Sequence, residues 1–456
     1  MRIFRSIGAL MAIAADTVRL PLFNLNYLTS TEALDVYNYT SSYPRRGVLG
    51  CIAIFVIKAF RSIRWPRPIA AEGRGKIVFA AETYNQFSAL EPVFAQLDPD
   101  RRLLVNLDKQ PGHDFPMAFA YLAALFFFPV SLLRYSAATP YQRQAYSHVF
   151  HHFILTYGYY FVARIWLHKL TPSLVFVAND HNMMTRTLTA AAAAEGVPTA
   201  YIQHSSVNDR FPPLNYNLAF LDGLDALKKY ERAGTSETRV YLAGIPKLDA
   251  FSSIANENDS LTALGVCIGR AEDSSSVLNL IAAMRATLPQ MPITLRPHPG
   301  DKRDWSATLN EFNVSVSDSA KELSFEFLSG VDAIVVGDSN IALEALLLNV
   351  TPLYFDFSGR RTDNYSFIKN GTVPYYSTHD DLLAALQMLI ASRPPVRHKA
   401  APYCATLGTR FDGDSARLVA TAIRRFVDGQ DPGPEWEAVS VSSLSAFKPR
   451  AELGFQ

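Results

Sequence analysis

The sequence predicts an α/β protein with two successive domains, each a parallel sheet covered by helices. Its 456 residues correspond to two or three domains at a prior of roughly 150 residues per domain. Short, continuous apolar segments alternate with helical segments along most of the chain, which is typical of parallel strands buried on both faces. A polar stretch at 251–260 separates two runs of this alternation and is interpreted as a linker.

The first run of the alternation begins near residue 75. Its apolar segments predict strands at 76–81, 102–107, 173–180, 198–204 and 216–223. Helices are predicted at 88–97, 185–196 and 225–234, the second of them because an alanine-rich stretch ends at a glycine. Between the second and third strands, the segment 115–170 predicts a long aromatic helical region.

The second run predicts strands at 263–269, 292–298, 314–318, 332–338 and 352–357, with helices at 277–288, 321–329, 340–348 and 380–392. We therefore expect two Rossmann-like domains facing a cleft, over 71–250 and 260–425. A helical N-terminal region (1–70) and a C-terminal tail (426–456) complete the expected organisation. Ligands of open α/β sheets bind beyond the carboxyl ends of the strands, so residues that directly follow strands are the functional candidates.

The composition excludes several classes of protein. Lys and Arg number 43 and Asp and Glu 42, and this net charge of +1 argues against a dedicated nucleic-acid binder. Hydrophobic residues make up 49% and charged residues 19%, so the chain is not intrinsically disordered. Cys51, Cys267 and Cys404 are scattered and odd in number, which excludes a disulfide scaffold and a zinc finger and fits a reducing compartment.

Two apolar segments predict association with a membrane surface. The segment 47–60 has basic residues on both sides, and the segment 117–133 ends at Arg134. A spanning helix needs about 20 apolar residues; the first segment is too short, and the second is marginal and contains Pro129. Short apolar helices with basic flanks favour helices that lie in the plane of the membrane. Buried core helices and a true span are the alternatives.

The sequence RPHPGD at 296–301 directly follows an apolar strand. Its two prolines restrict the loop because their φ angle is fixed, so Arg296 and His298 lose little entropy on binding. A guanidinium and an imidazole at a strand end suit a phosphate or carboxylate. We expect an anion site here; a strand-terminating turn with solvated side chains is the alternative.

The sequence GDSNIALEA at 337–345 also follows an apolar strand. Ser339 or Asp338 is a candidate N-cap for a helix that starts near Asn340, and the free N–H groups of that helix favour a phosphate. Glu344, about one turn further on, is a candidate acceptor for ribose hydroxyl groups. A capped helix after a strand is common, so the prediction of a nucleotide site depends on its pairing with 296–301.

In the first domain, VANDH at 177–181 and QHSSVNDR at 203–210 follow strands. His204 is a candidate base for an acceptor hydroxyl, since an imidazole pKa near 6.5 suits proton transfer. Asp180 either orients His204 or is itself the base. Gln203, Asp209 and Arg210 are candidate acceptor contacts. A packed, hydrogen-bonded histidine is the alternative for His204.

The sequence GIPKLDAF at 244–251 lies at the expected domain junction. Gly244 and Lys247 are candidate contacts for a donor phosphate, and a plain hinge turn is an equal alternative. No metal ion and no cofactor are expected. The histidines at 148, 151 and 152 share one helix face, a spacing that permits zinc, but aromatic neighbours and the lack of a nearby carboxylate favour packing.

These motifs together resemble those of the GT-B glycosyltransferases, and more narrowly of the bacterial enzymes that build capsule and other surface polysaccharides. In the sialyl- and polysialyltransferases of that superfamily, an HP motif and a serine motif hold CMP. The resemblance implies these two roles for His298 with Pro299 and for Ser339. Capsule Kdo transferases and teichoic-acid glycerophosphotransferases share a glutamine–histidine turn, which Gln203 and His204 match.

The expected function is therefore glycosyl transfer from a nucleotide-activated donor, with CMP favoured, to a bacterial surface glycan or lipid-linked acceptor. The reaction is expected to be metal-independent and inverting, in the cytoplasm at the inner face of the cell membrane, without nucleic acid. A polyol-phosphate transferase that uses a CDP-glycerol-type donor is the first alternative. A non-catalytic, membrane-associated scaffold of a polysaccharide assembly complex is the second.

Overall fold

The computed structural model of the protein describes residues 2–27, 44–63, 73–108, 110–270, 272–431 and 433–450. Parts of the expected N-terminal region, 28–43 and 64–72, lie outside the described residues. The described chain forms two lobes, and each lobe is built on one sheet.

The strands are, in chain order, β1 (Ile77–Ala81), β2 (Arg102–Asn106), β3 (His113–Asp114), β4 (Leu174–Val177), β5 (Thr199–Ile202), β6 (Leu218–Leu221), β7 (Arg239–Leu242), β8 (Leu264–Ile268), β9 (Ile293–Pro297), β10 (Ser315–Val316), β11 (Ala333–Val336), β12 (Thr351–Phe355), β13 (Tyr375–Tyr376), β14 (Trp436–Ala438) and β15 (Ala446–Pro449). The helices are α1 (Arg2–Thr17), α2 (Leu22–Leu25), α3 (Gly47–Arg61), α4 (Tyr84–Ala95), α5 (Met117–Phe126), α6 (Phe128–Ser136), α7 (Pro140–Leu170), α8 (Met183–Ala194), α9 (Leu224–Ala233), α10 (Ser274–Thr287), α11 (Trp305–Leu309), α12 (Ser324–Ser329), α13 (Ile341–Leu347), α14 (His379–Ala391) and α15 (Ser415–Val427).

The sheet of the first lobe has the order β14-β15-β7-β6-β5-β4-β1-β2-β3. Its strands are parallel except for the antiparallel pair β14–β15. Strands β1, β4, β5 and β6 are buried along their whole length, as their continuous apolar sequences predict. The sheet of the second lobe has the order β10-β9-β8-β11-β12-β13, and all its pairs are parallel. The strand–helix alternation predicted for both halves is confirmed.

The aromatic region predicted as helical contains three helices. Helices α5 and α6 are bent by 58° where they meet, and Pro140 begins α7 behind a capping box made by Thr139 and Gln142. Helix α7 is apolar around most of its circumference because α8 covers one side and α1, α3, α5 and α6 pack on the others. Among the described residues no single helix is long and apolar enough to cross a bilayer, although α5 and α6 together would pass by length and composition.

The end of the chain returns to the first lobe. Apolar residues of α15 pack with those of α4 and of the first sheet in one core, and β15 pairs in parallel with β7. The sequence predicted a second domain that extends to residue 425 and a tail from 426. The packing instead assigns 415–427 and the two last strands to the first lobe, because the apolar face of α15 covers the open side of that sheet.

Candidate functional site

A cleft of about 1020 Å³ opens between the two lobes. Helix α4 and the 3₁₀ helix Pro246–Ile254 form its wall on the first lobe. Residues at or just after the ends of β8, β9 and β11 form the facing wall, among them Gly269, His298, Pro299 and Ser339. The cleft thus lies where ligands of open α/β sheets bind, and its volume suits a nucleotide-sized ligand.

His298 is exposed in the cleft, and its own loop orients its ring. The backbone N–H of Gly300 donates a hydrogen bond to Nδ1 of His298 at 2.9 Å. Because Nδ1 accepts, the neutral ring carries its proton on Nε2. Partial desolvation of the ring by its loop, and then the neighbouring charge of Arg270, lower the pKa of His298, which favours this neutral form. His298 therefore presents one oriented N–H to a ligand.

The loop that carries His298 is tied to the end of β8. Asp301 accepts hydrogen bonds from Nη2 of Arg303 at 2.6 Å and from Nε1 of Trp305 at 3.1 Å. Arg303 also donates to the backbone oxygen atoms of Gly269 and Glu272. The two prolines predict a rigid loop, and this ion-paired network is what holds it in place.

Arg296 does not offer the free guanidinium that the sequence predicts. Its side chain borders the cleft, but the residue is only 6% exposed. Nη1 donates to Oγ of Ser317 at 2.7 Å and to Oε2 of Glu322 at 2.9 Å, and Nη2 donates to the backbone oxygen of Glu322. A buried guanidinium requires such partners, so Arg296 connects β9 to the segment before α12.

Two residues expected to bind nucleotide contact the first lobe instead. Asn340 occupies the N-cap position of α13, and its Oδ1 accepts a hydrogen bond from the backbone N–H of Ser206 at 3.1 Å. Oε1 of Glu344 accepts from Nζ of Lys247 at 2.9 Å. Ser339 lies in the cleft as predicted. Asn340 and Glu344 thus hold the lobes together.

The ion pair between Lys247 and Glu344 lies where the cleft meets the first lobe. Both residues border the cleft, and the charge of Lys247 also acts on His204 and Asp222. Burial acts to lower the pKa of Lys247, but the charge of Glu344 and the hydrogen bond to it outweigh this effect, and the pKa is raised. Lys247 therefore stays protonated and paired with Glu344 and is not aimed at a phosphate.

Gly244 lies in a packed turn and is not among the residues that line the cleft. Its φ is +71°, in the left-handed region. A Cβ atom at this position would lie 2.1 Å from Oγ1 of Thr406 and 2.6 Å from Oγ of Ser415. Of the two interpretations that the sequence left open for Gly244, a phosphate contact and a turn at the junction, the structure supports the turn.

A buried acid–base pair lies at the carboxyl end of β4. Asp180 is 1% exposed. Its Oδ1 lies 2.7 Å from Nδ1 of His181, and its Oδ2 accepts from the hydroxyl of Tyr230 at 2.6 Å. Burial acts to raise the pKa of Asp180, yet the hydrogen bond and charge of His181 outweigh it, so the pKa is lowered. Asp180 stays ionised and orients His181, whereas the sequence paired it with His204.

His204 lies beside this pair, with its ring centre 6.0 Å from that of His181. Burial, reinforced by the charge of His181, lowers the pKa of His204 to about 3. His204 is therefore neutral at pH 7. Within the described residues its Nδ1 is buried and has no hydrogen-bond partner, so the hydrogen-bonding capacity of this atom is unsatisfied.

The three residues predicted to contact the acceptor do not come together. Oε1 of Gln203 accepts from the backbone N–H of Asp222 at 3.0 Å, so this buried side chain supports the sheet edge. Asp209 forms a surface ion pair with Arg232, in which both side chains are about half exposed. Arg210 is exposed, and its backbone oxygen accepts from the hydroxyl of Tyr27.

Three residues that sequence reasoning missed belong to these two sheet edges: His181, Glu82 and Arg270. Glu82 follows β1, and burial raises its pKa; Nδ2 of Asn182 donates to it at 3.3 Å. Arg270 follows β8, beside His298. Each residue lies within a few positions of a strand end, so the rule that identified His204 and His298 would have found them as well. In the described part of the chain, no three or more His, Cys, Asp or Glu side chains form a group suited to a metal ion.

No protein-family model matches the sequence, and no curated protein matches it either. Among solved structures, a protein of Listeria monocytogenes assigned as a UDP-N-acetylglucosamine 2-epimerase is similar, at 13% identity and a TM-score of 0.53 over 79% of this chain and 98% of that one. The UDP-GlcNAc 2-epimerase of Neisseria meningitidis, bound to UDP-GlcNAc, has 14% identity and a TM-score of 0.52 over 77% of this chain and 100% of that one.

A wall teichoic acid polymerase matches at 10% identity and a TM-score of 0.48, over 84% of this chain and 96% of that one, and we draw nothing from this weaker similarity. At these identities the likeness concerns the fold alone. Together with the two parallel sheets and the cleft between them, it establishes that the chain has a GT-B-type fold, two Rossmann-like domains that face each other across a cleft.

Proposed function

We propose that the protein is a glycosyltransferase that moves a sugar from a nucleotide-activated donor in the cleft to a hydroxyl group of an acceptor on the first lobe. One observation supports this most strongly. His298, with its oriented ring, and Lys247 both border the cleft. The charge of Lys247 acts on His204 of the first lobe. Lys247 thus links the cleft that carries His298 to the edge that carries Asp180, His181 and His204, although these three residues are not among those that line the cleft.

On the donor side, Nε2 of His298 donates to the phosphate of the nucleotide. Arg270 adds positive charge beside it, and the hydroxyl of Ser339 lies in the same cleft. These groups stabilise the negative charge that develops as the bond between the sugar and the phosphate oxygen breaks. Because this chain supplies that charge, we expect chelation of divalent cations with EDTA to leave transfer unchanged.

On the acceptor side, His181 is the best-placed base. Asp180 accepts from Nδ1 of the neutral ring, so Nε2 is the basic atom. In this structure Nε2 accepts from Nδ2 of Asn179 at 3.1 Å, and on the proposed function the acceptor hydroxyl replaces that partner. Nε2 then takes the proton of the hydroxyl, the oxygen attacks the anomeric carbon, and the nucleotide leaves with the electron pair of the broken bond. A single displacement of this kind inverts the configuration of that carbon. His204, beside His181, contributes a neutral nitrogen that binds the acceptor.

The donor that we propose is a CMP-linked sugar, and the acceptor is a bacterial surface glycan or lipid-linked glycan. The support for CMP is the resemblance of His298 with Pro299 and of Ser339 to the HP and serine motifs. Thermal-shift and calorimetric titrations with CMP, CDP and UDP test this proposal, since a ligand that binds the folded state raises its apparent stability.

We expect CMP to bind, and His298→Ala to weaken that binding by about tenfold, the loss of one charge-assisted hydrogen bond. His398→Ala is the matched control, because His398 is an exposed histidine of the second lobe that does not border the cleft. Transfer from CDP-glycerol alone would favour a polyol-phosphate transferase. If none of the nucleotides binds, the protein is a scaffold and the proposal is wrong.

Epimerisation of a nucleotide sugar is the second candidate, because the two structures reported above with the higher TM-scores are both epimerases. Incubation with UDP-GlcNAc in the absence of any acceptor separates the two functions. Formation of an epimer would contradict glycosyl transfer. The apolar outer helices of the first lobe have no evident use in such a reaction on a soluble substrate.

A further inference from the structure

Large apolar side chains are exposed on the outer helices of the first lobe. The most exposed large apolar side chains of helices α1, α3, α5 and α6 are Met11 (67%), Leu49 (83%), Phe60 (71%), Leu122 (62%), Phe126 (76%) and Leu133 (69%). Most of the exposed large apolar side chains of the described residues lie on these four helices or directly after them. A concentration of this kind marks an interaction surface, whereas single exposed apolar residues are ordinary.

These four helices form one layer. Each packs on α7, and α3 joins α5 through an edge contact between the rings of Phe55 and Tyr121. Arg134 of α6 donates to the backbone oxygen of Val18, just after α1. Because the inner sides of the helices cover α7, their outer sides face away from the core of the protein. We call this outer surface the apolar face.

The charges on the four helices are almost all basic. Their sequences contain Arg2, Arg5, Lys58, Arg61 and Arg134, and one acidic residue, Asp16. Asp16 is paired with Arg164 of α7 at 2.6 Å. An apolar surface with basic residues complements a bilayer with anionic headgroups. It opposes pairing with a second copy of the chain, because two such faces would bring like charges together.

We propose that the apolar face docks on the surface of an anionic lipid bilayer, with its helices in the plane of the membrane. The aromatic and aliphatic side chains enter the boundary between headgroups and acyl chains, and the basic residues contact lipid phosphates. The bend of 58° between α5 and α6 fits a pair of helices that lie along a surface.

The docked layer extends to the polar edge of the first sheet. Arg186 of α8 donates to the backbone oxygen of Asn24, in the segment that follows α1, at 2.7 Å and to the backbone oxygen of Asp180 at 2.7 Å. The acceptor side therefore adjoins the docked layer. On the proposed function, this position selects a lipid-linked acceptor, whose headgroup reaches His181 while its acyl chain stays in the membrane.

Flotation of the full chain with vesicles tests the docking. We expect the protein to float with vesicles of phosphatidylcholine and phosphatidylglycerol, to float less with phosphatidylcholine alone, and to be released in part by salt. The double variant Leu122→Ser/Phe126→Ser should lose about tenfold in binding, since it removes two large apolar groups. Met388→Ser, on α14 of the second lobe, removes a side chain that is 73% exposed and should float like the wild type.

Equal flotation of the double variant and the wild type would overturn the proposal. So would a dimer in light scattering that does not bind vesicles, because a second copy would then cover the apolar face. Circular dichroism and nucleotide titration of the double variant separate docking from folding and from the donor site. If nucleotide binding is intact and vesicle binding absent in the wild type, docking fails while the proposed function stands.

Discussion

The carboxyl edges of the two sheets satisfy their polar groups in opposite ways. At the edge of the second lobe, His298 is exposed in the cleft. Its Nδ1 accepts from a backbone N–H, so the ring proton lies on Nε2 and can be donated to a ligand. At the edge of the first lobe, Asp180 is 1% exposed and has hydrogen-bond partners in both His181 and Tyr230. One edge presents a hydrogen-bond donor to a ligand, and the other is a closed network of ionisable groups.

One fold thus separates the binding of a ligand from the transfer of a proton. A group that binds an anion works best where the ligand can reach it without displacing internal partners. A group that exchanges protons needs a pKa moved by burial and by neighbouring charges, and such groups cluster in buried positions. The two edges meet at the Lys247–Glu344 ion pair and at the hydrogen bond between Ser206 and Asn340.

The largest expected effect tests whether His181 and His298 have separate roles, in proton transfer and in nucleotide binding. We expect His181→Gln to lower kcat by about a hundredfold or more, the usual contribution of a general base, and to leave the affinity for nucleotide unchanged. His298→Ala should show the reverse pattern, with weaker nucleotide binding as its main effect. Steady-state kinetics and calorimetry on the two variants measure this contrast. A kcat of His181→Gln close to that of the wild type would return the role of base to His204.

The next effect tests the contact between the two edges. Lys247→Met should lower the free energy of unfolding by about 2 kcal/mol or more, because Glu344 is left without its partner in a poorly solvated position. The double variant Lys247→Met/Glu344→Leu should recover part of the loss. Urea denaturation measures all three changes. Equal stability of Lys247→Met and the wild type would mean that this pair does not hold the lobes together.

The third expected effect is a loss of stability in acid, which comes from buried histidines of the first lobe. His204 and His151 have pKa values of about 3 in the folded protein, lowered by burial first, against 6.5 ordinarily. The unfolded chain therefore binds protons that the folded chain does not, and stability falls as the pH drops from about 6.5 towards 3. The slope is at most about 1.4 kcal/mol per pH unit for each histidine.

His204→Gln should flatten this dependence, and denaturation curves at several pH values measure the slope. His398→Ala is the comparison variant, because His398 is exposed on the second lobe. If stability depends on pH with the same slope in His204→Gln and in the wild type, the pKa of His204 is not lowered in the folded protein.

The smallest effect concerns residues outside both edges. Arg232→Ala removes the exposed pair with Asp209 and should change the free energy of unfolding by less than about 0.5 kcal/mol. Transfer should stay within about twofold of the wild type, since such surface pairs contribute little. A large loss of transfer would restore Asp209 as an acceptor contact.

The sequence was sufficient to predict the sheets, because short continuous apolar segments such as 333–336 and 174–177, which alternate with longer helical segments, favour central strands. His298 and Ser339 line the cleft, one directly after a strand and the other three positions after one, and their roles in binding stay predictions. These predictions depend on residues that are close in sequence, where periodicity and strand ends are visible.

The side-chain partners could not be predicted in the same way. Glu322, which pairs with Arg296, lies 26 positions away in the segment before α12. Lys247 and Glu344, which also pair, are 97 positions apart. The pattern of α15 shows an apolar face but not which lobe it covers. Such contacts follow from how the lobes pack, and no short segment carries that information.

The return of the chain to its first lobe has a consequence for synthesis on the ribosome. The strand next to β7 is β15, which ends at residue 449, and the apolar cover of α4 comes from α15. During translation, one edge and part of one face of the first sheet therefore stay uncovered until residue 449 has been made. A chain that stops at residue 414 should accumulate as an aggregation-prone, chaperone-bound species, even though it contains all the strands of the second lobe.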